Sequence, residues 1–260
     1  MNIVVLVKQV PDTAAERTLS GTDHTLDREG ADLVLDEINE RAAEEALTLK
    51  ETAGAEVTVV SMGPDSALDA IRTVLAMGAD RGIHVRDDRL RGADVVTTAK
   101  VLAAAVRTVG DVGLVLAGNA TTDGQASAVP AAVADLLGLP QLTQVRELRV
   151  TAGRVRAERE TEHGEATLDA PLPALVSVTE KINEPRYPSF KGIMAARKKP
   201  VETVGLDDLF PDADAVGFLV TRTRVVEAVP RPARTAGVRV TDDGSADRQV
   251  ADYLIARKLL

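Results

Sequence analysis

The feature that most constrains this chain is an alternation, sustained over its first half, between short β-branched apolar runs and longer stretches whose apolar residues recur every three or four positions. The run Ile3, Val4, Val5, Leu6 and Val7 has no polar face, so it reads as a strand covered on both sides. Residues 37–52 place Ile38, Ala42, Ala46 and Leu49 on one side and Glu40, Arg41, Glu44 and Glu45 on the other, an amphipathic helix that Gly54 ends. A strand at 57–60, a helix at 66–77 with Ala67, Ile71 and Val74 inward and Gly78 closing it, and a strand at 83–85 follow. Next come a helix at 92–109 with the stripe Val95, Ala99, Leu102, Val106 and Val109, a strand at 112–117 and a helix at 126–137. Parallel neighbours need crossovers, so this order predicts an α/β fold with a mostly parallel sheet and helices on both faces.

After Pro140 the texture changes. Residues 145–150, 154–161 and 172–179 read as strands without long helices between them, the first two joined by a turn at Ala152 and Gly153. From Glu184 onward Pro185, Pro188, Pro200, Pro211, Pro230 and Pro232 punctuate a charged stretch in which only 190–199 and 246–258 look helical. A tail with so little apolar periodicity builds no core of its own, and it is expected to lie along something else. The chain thus divides into an α/β domain at 1–183, a short segment at 184–200 and an arm at 201–260.

Composition removes several classes of function. No apolar run approaches the roughly eighteen residues of a membrane span, and the apolar start gives way at once to Lys8 and Gln9 without a small-residue cleavage site, so membrane insertion and export are not expected and a cytoplasmic location is. With no cysteine, disulfides, thiolate metal sites, thiol nucleophiles and iron–sulfur clusters are excluded. A net charge of −9 argues against bulk nucleic-acid binding. Two Tyr, three Phe and no Trp are few for a chain that encloses a large ring system by itself.

In open α/β sheets ligands sit beyond the carboxyl ends of the strands, near the point where strand order reverses. Three loops occupy such ends: 8–12, 61–64 and 118–127. None is GxGxxG, and no GxxxxGK[ST] occurs, so a standard NAD fold and a P-loop are unsupported. The third loop is the most informative. Gly118, Ala120, Gly124 and Ala126 let backbone approach a ligand, Thr121, Thr122, Asp123 and Ser127 offer hydrogen bonds, and a helix start suited to a phosphate follows. Capping of that helix by Thr, Asp and Ser accounts for the same residues, and spacing leaves both readings open.

His24, His84 and His163 share no metal-ligand spacing and read as structural or surface groups. Glu158, Glu160 and Glu162 alternate about Arg159 along a strand, a solvated face from which one member could reach a partner or cofactor. Between Glu180 and Lys199, six basic residues (Lys181, Arg186, Lys191, Arg197, Lys198, Lys199) stand against two acidic ones. Tyr187 and Phe190 among those charges make the segment look like a docking loop as much as a solvated face.

Lys8-Gln9-Val10-Pro11-Asp12, the stretch 76–85, and above all Ile182-Asn183-Glu184-Pro185-Arg186-Tyr187-Pro188 running on to Ile193-Met194-Ala195-Ala196-Arg197-Lys198-Lys199-Pro200 resemble the β subunit of electron transfer flavoprotein. Arg234-Thr235-Ala236-Gly237-Val238 is similar to that family's C-terminal stretch, and the likeness covers essentially the whole chain. The resemblance implies a Rossmann-like, adenine-nucleotide-binding domain that carries AMP and sends a C-terminal arm around an α subunit, which holds most of the FAD. It implies a heterodimer that takes electrons from dehydrogenases, chiefly acyl-CoA dehydrogenases of fatty acid oxidation. These pass singly to electron transfer flavoprotein–quinone oxidoreductase, with no bond-making chemistry by β.

Carried over by position, the resemblance places AMP near the backbone of Leu6, near Asp36 and Met62, and along Thr121, Thr122, Asp123, Gly124, Gln125, Ser127, Ala128 and Val129. Main-chain N–H groups of Ser127, Ala128 and Val129 would meet the phosphate, and Asp36 a ribose hydroxyl, while Pro130 replaces a common glycine. Thr13 stands near the flavin ring where some relatives place Tyr. Arg186, Tyr187, Phe190, Ile193 and Met194 fall in the docking segment, with Phe190 as the anchor that enters a pocket of the dehydrogenase. Glu160 matches a carboxylate that pairs with an arginine of the mobile flavin domain of α. Two rivals remain at this point: a bifurcating relative with a second FAD in place of AMP, and a stand-alone ATP-binding stress-type domain.

Overall fold

The computed structural model describes residues 1–28, 30–151, 153–211, 221, 223, 225–229, 231–233 and 236–260. Ala152, Pro230, Arg234 and Thr235, which the sequence assigns to a turn, a punctuating proline and the C-terminal motif, lie outside the described residues.

Strand β1 (Asn2–Val7) alternates Ile3, Val5 and Val7 toward one sheet face and Val4 and Leu6 toward the other, and all five are buried. Burying such a side chain contributes roughly 1.5–3 kcal/mol, which makes a doubly covered strand the natural centre of a sheet. The sheet has nine strands in the order β11-β5-β4-β1-β6-β10-β7-β8-β9. These are β4 (Glu56–Met62), β5 (Arg81–Val85), β6 (Val112–Gly118), β7 (Gln141–Thr151), β8 (Arg154–Thr161), β9 (Gly164–Pro171), β10 (Ala174–Val178) and β11 (Val201–Val204). From β11 to β7 all neighbours are parallel, whereas β8 and β9 are added antiparallel. The mostly parallel α/β architecture expected from sequence is therefore the one observed.

Helices α1 (Glu37–Ala53) and α2 (Leu68–Met77) cover one face through Ala46, Leu47, Ile71 and Leu75. Helices α3 (Val95–Val109) and α4 (Val129–Leu137) cover the other through Leu102, Val106 and Val133. The connection β1-α1-β4 runs to one side of β1, and β5-α3-β6 returns to its other side. Strand order thus reverses between β1 and β6, and their carboxyl ends splay apart there.

Several elements depart from the sequence expectation. Strands β2 (Gln9–Pro11) and β3 (Leu33–Leu35) pair antiparallel and carry an excursion over 12–32, itself closed by a Leu19–Leu26 bridge. Helix α4 starts at Val129 and not at 126, because Gln125 takes a left-handed φ of 50° and turns the chain first. Strand β9 escapes a reading by apolar alternation because it is polar and mostly exposed. Glu162 sits in the β8–β9 turn and not on the strand face with Glu158 and Glu160. Glu44, expected to face water, is 8% exposed on α1.

Beyond β10 come α5 (Phe190–Ala196), β11 and α6 (Leu206–Leu209). The sheet therefore includes residues 201–204, which the sequence pattern assigns to the arm. Residues 1–225 form one compact unit and 226–260 a second. In the second unit, α7 (Ala246–Ala256) has no buried residue, and the Arg257 guanidinium lies 4.4 Å above the Tyr253 ring. Among the described residues no helix is long and apolar enough to cross a membrane.

Gly118 sits where α1 comes down on the end of β6: a Cβ there would stand 2.4 Å from Asn39 Nδ2, 3.0 Å from Ile38 Cγ2 and 3.1 Å from the Ala120 carbonyl. Overpacking of this kind costs about 1–3 kcal/mol, so Gly118→Ala should lower the urea midpoint accordingly. Gly124→Ala, with nothing within 4 Å, should change stability by no more than about 0.5 kcal/mol. Equal midpoints for the two variants would contradict this packing.

Candidate functional site

A cleft of about 730 Å³ opens at the point of strand reversal. Thr13, Ala15 and Arg17 of the β2–β3 excursion form one wall, Ile38 at the start of α1 the floor, and Asn119, Ala120, Thr121, Thr122, Gln125 and Ser127 after β6 the other wall. The lining combines hydrogen-bonding groups with small side chains, carries one charge, that of Arg17, and contains no aromatic ring.

The loop after β6 is held from below by two carboxylates. Asp36, wholly buried, caps α1 by accepting from Ile38 N and Asn39 N through Oδ1 (3.1 Å each), and its Oδ2 accepts from Thr122 N at 2.7 Å. Asp123, with its side chain 1% exposed, is paired with Lys8 at 2.8 Å and Arg28 at 2.5 Å and accepts from Thr121 Oγ1 and Gly124 N at 2.7 Å each. Burial opposes ionisation of Asp123, but Lys8, Arg28 and Thr121 together outweigh it and hold the carboxyl well below the usual carboxylate range. Both acids are engaged within the protein, so neither presents a free negative charge to the cleft.

Of the residues expected at AMP, Thr121, Thr122, Gln125 and Ser127 line the cleft, and so does Thr13, expected near the flavin ring. Leu6 lies in the core, and Met62 and Val129 pack half-buried against the same cluster. Asp36, expected near a ribose, is instead engaged by the three N–H groups it accepts from, because an N-cap carboxylate has stronger nearby donors than a hydroxyl. Gly124 and Ala128 are exposed and do not line the cleft. The phosphate-facing backbone also differs from expectation: Ser127 N donates to Gln125 O (3.1 Å) and Val129 N to Ala126 O (3.4 Å), while Pro130 has no N–H to give.

Ala15, Arg17 and Ile38 on the cleft, and Arg28 beneath it, carry no signal of a site in the sequence. In the loop at 118–127 the sequence assigns Asn119 no contact, whereas Ala120 lines the cleft as one of the small residues expected to let backbone approach a ligand. Arg17 Nη1 donates to the Thr122 carbonyl at 2.5 Å, so the excursion and the loop are tied together twice. Asn119 Nδ2 donates to Gln144 Oε1 at 2.8 Å. Asn119 Oδ1 and Thr122 Oγ1 are buried without a partner, and both residues line the cleft. A sugar or a base edge has the donors that such orphaned oxygens lack. A nucleotide therefore fits this lining.

The segment 182–200 makes a second surface. Arg186 is not presented outward: it is paired with Glu44 at 2.8 Å and also with Glu51, and its main-chain N–H donates to Glu44 Oε2 at 3.1 Å. Asn183 Nδ2 donates to Glu45 Oε2 and to the Arg41 carbonyl at 3.1 Å each. Lys199 Nζ donates to the Leu75 and Ala79 carbonyls, and Arg72 to those of Ala196 and Lys199. Gly192 lets α5 close on α2, since a Cβ there would lie 2.3 Å from the Ala76 carbonyl. With its polar anchors turned inward, the segment displays Tyr187 (96% exposed), Phe190 (81%), Ile193 and Met194, and Lys191, Arg197 and Lys198 are exposed beside them. Glu160 is held by Lys181 at 2.8 Å and Arg146 at 3.5 Å, and Arg146 also meets Glu158 and Glu165. The Lys181 hydrogen bond, with Arg146 behind it, lowers the Glu160 pKa.

The sequence pattern of the electron transfer flavoprotein domain family matches residues 23–209. Relatives named electron transfer flavoprotein subunit beta are 52% identical in Mycobacterium tuberculosis and 51% identical in Mycobacterium leprae, each alignment covering 100% of this chain and 99% of the relative. A subunit of a caffeyl-CoA reductase–Etf complex from Acetobacterium woodii is 34% identical over 99% of this chain and 97% of its own length. Agreement along the whole chain sets aside the stand-alone ATP-binding alternative. The chain belongs to the electron transfer flavoprotein family, among its β subunits.

Proposed function

We propose that this β subunit works in a heterodimer with an electron transfer flavoprotein α subunit, binding AMP in the cleft between β1 and β6 and forming one wall of a FAD site that α mostly holds. The observation that carries the reading is the cleft itself: it stands at the strand reversal, is lined by small hydrogen-bonding residues, and contains orphaned oxygens but no ring to stack a flavin. FAD supplies the redox chemistry. The chain's own residues position and shield: Thr13 and Ala15 border the cleft, Asp36 and Asp123 hold its loop, and no acid, base or nucleophile is required of β for electron transfer. The scarcity of aromatics weighs against the alternative of a second FAD in a bifurcating complex.

The remaining roles follow from the surfaces. Residues 184–200 dock an acyl-CoA dehydrogenase, with Tyr187, Phe190, Ile193 and Met194 as its apolar contacts and Arg186 as the brace that holds them out. Exposed apolar residues of the second unit (Val226, Val229, Val238, Ile255) and the unburied helix α7 fit an arm that lies on the α subunit. Glu160, at the edge of the β8–β9 hairpin, meets an arginine of the α flavin domain by exchanging its present cations for that partner. Electrons leave to electron transfer flavoprotein–quinone oxidoreductase, and the complex is cytoplasmic.

Quantifying cofactors released from the purified heterodimer tests the central point. One FAD and one AMP per dimer are expected, and two FAD without AMP would overturn the reading. Ser127→Asp, which sets a carboxylate on the cleft wall, should lower AMP retention while FAD content stays at one. Phe190→Ala should weaken docking by about 2 kcal/mol, roughly thirtyfold in the dehydrogenase concentration needed for half-maximal electron uptake. FAD content and dimer stability should not change with Phe190→Ala, and an unaltered uptake curve would remove the anchor role.

A further inference from the structure

We propose that Arg17 recognises a phosphate of the bound nucleotide, a role that rests on the nucleotide reading of the cleft given above. Arg17 is the one charged residue on the cleft lining, and among the described residues no carboxylate pairs with it. Its guanidinium is already aimed. Nη1 donates to the Thr122 carbonyl, which leaves the other donors of a planar five-donor fork for an anion, the geometry that matches phosphate oxygens.

Two features of the surroundings favour a side-chain cation there. The start of α4, which would ordinarily offer several N–H groups to a phosphate, has fewer to give: the N–H groups of Ser127 and Val129 close turns and Pro130 has none, which leaves that of Ala128. The other polar lining residues, Thr13, Asn119, Thr121, Thr122, Gln125 and Ser127, are neutral. Nor does an acid oppose the anion from within the loop, since Asp123 is neutralised by Lys8 and Arg28, and Asp36 is hydrogen-bonded to three N–H groups. The recognised group is a nucleotide phosphate, supplied either by AMP within the cleft or by the pyrophosphate of FAD at its mouth.

The test uses the purified αβ heterodimer with Arg17→Gln and Arg17→Lys. AMP and FAD contents are measured after heat release, and nucleotide-depleted dimer is titrated with AMP and with adenosine. Loss of a charge-assisted hydrogen bond should weaken AMP binding in Arg17→Gln by about tenfold to a hundredfold, leave adenosine binding unchanged, and be partly restored in Arg17→Lys. Loss of FAD with AMP binding intact would also support phosphate recognition and would assign the phosphate to the flavin. Equal weakening of AMP and adenosine would show that Arg17 only braces the Thr122 carbonyl and would overturn the proposal. So would unchanged affinity for AMP together with unchanged FAD content. A wild-type dimer with two FAD and no AMP overturns the AMP reading separately, and the FAD arm then still decides for or against Arg17.

Discussion

The carboxylate of Asp123, buried beneath the loop after β6, is the interaction on which the cleft depends. A buried carboxylate is costly unless it is paired and fully hydrogen-bonded. Here Lys8 comes from the end of β1, Arg28 from the β2–β3 excursion, and Thr121 and Gly124 from the loop itself. Three separate pieces of chain must therefore arrive together before the charge is satisfied. Asp36 adds a fourth, since the carboxylate that starts α1 also holds the Thr122 N–H. The excursion, the loop and α1 are thus fixed relative to one another by ionic and hydrogen-bonding terms, around a space their side chains do not fill.

The segment 182–200 is built on the same logic at another place. Glu44 and Arg186 are distant in sequence, and each would be poorly placed without the other: Glu44 is nearly buried on α1, and Arg186 lies in a proline-flanked stretch with little helix or strand of its own. Their pairing, with Asn183 on Glu45 and the Arg41 carbonyl, converts a loop of weak intrinsic structure into a fixed platform. Polar residues are engaged inward and apolar ones are left outward, the reverse of a core, and this is the arrangement expected of a surface completed by a partner.

How much of this the sequence discloses depends on whether the cause is local. The helices and parallel strands of the first half are legible because hydrophobic periodicity is a local property, and the loop at 118–127 is legible because it follows a strand in such a fold. Strand β9 is not, since its polar, exposed residues carry no alternation and its pairing is fixed by β8. Glu44 looks like a solvated helix position because its partner Arg186 lies far along the chain. Arg17 and Arg28 give no signal beyond being basic, for their meaning comes from an excursion that brings them onto a loop more than ninety residues away. Asp36 falls in the expected region with a different role. Neither its capping of α1 nor its second bond, to Thr122, follows from the ribose role that the resemblance implies.

Helix α1 connects these two sites mechanically. Its N-cap Asp36 holds the loop after β6 and its first turn supplies Ile38 to the cleft, and about two turns further on Glu44 clamps the segment 182–200. At about 1.5 Å of rise per residue, the eight positions from 36 to 44 fix an axial separation of about 12 Å between the loop anchor and the Glu44–Arg186 clamp. A helix packed along one face against the sheet does not easily change that length. In an electron carrier the rate is governed by approach distance and not by acid–base groups, so what the β subunit has to hold constant is spacing. The paucity of aromatic side chains is consistent with that demand. Small residues leave room at the cleft, charged residues fix its walls, and one stiff helix sets how far the Glu44–Arg186 clamp stands from it.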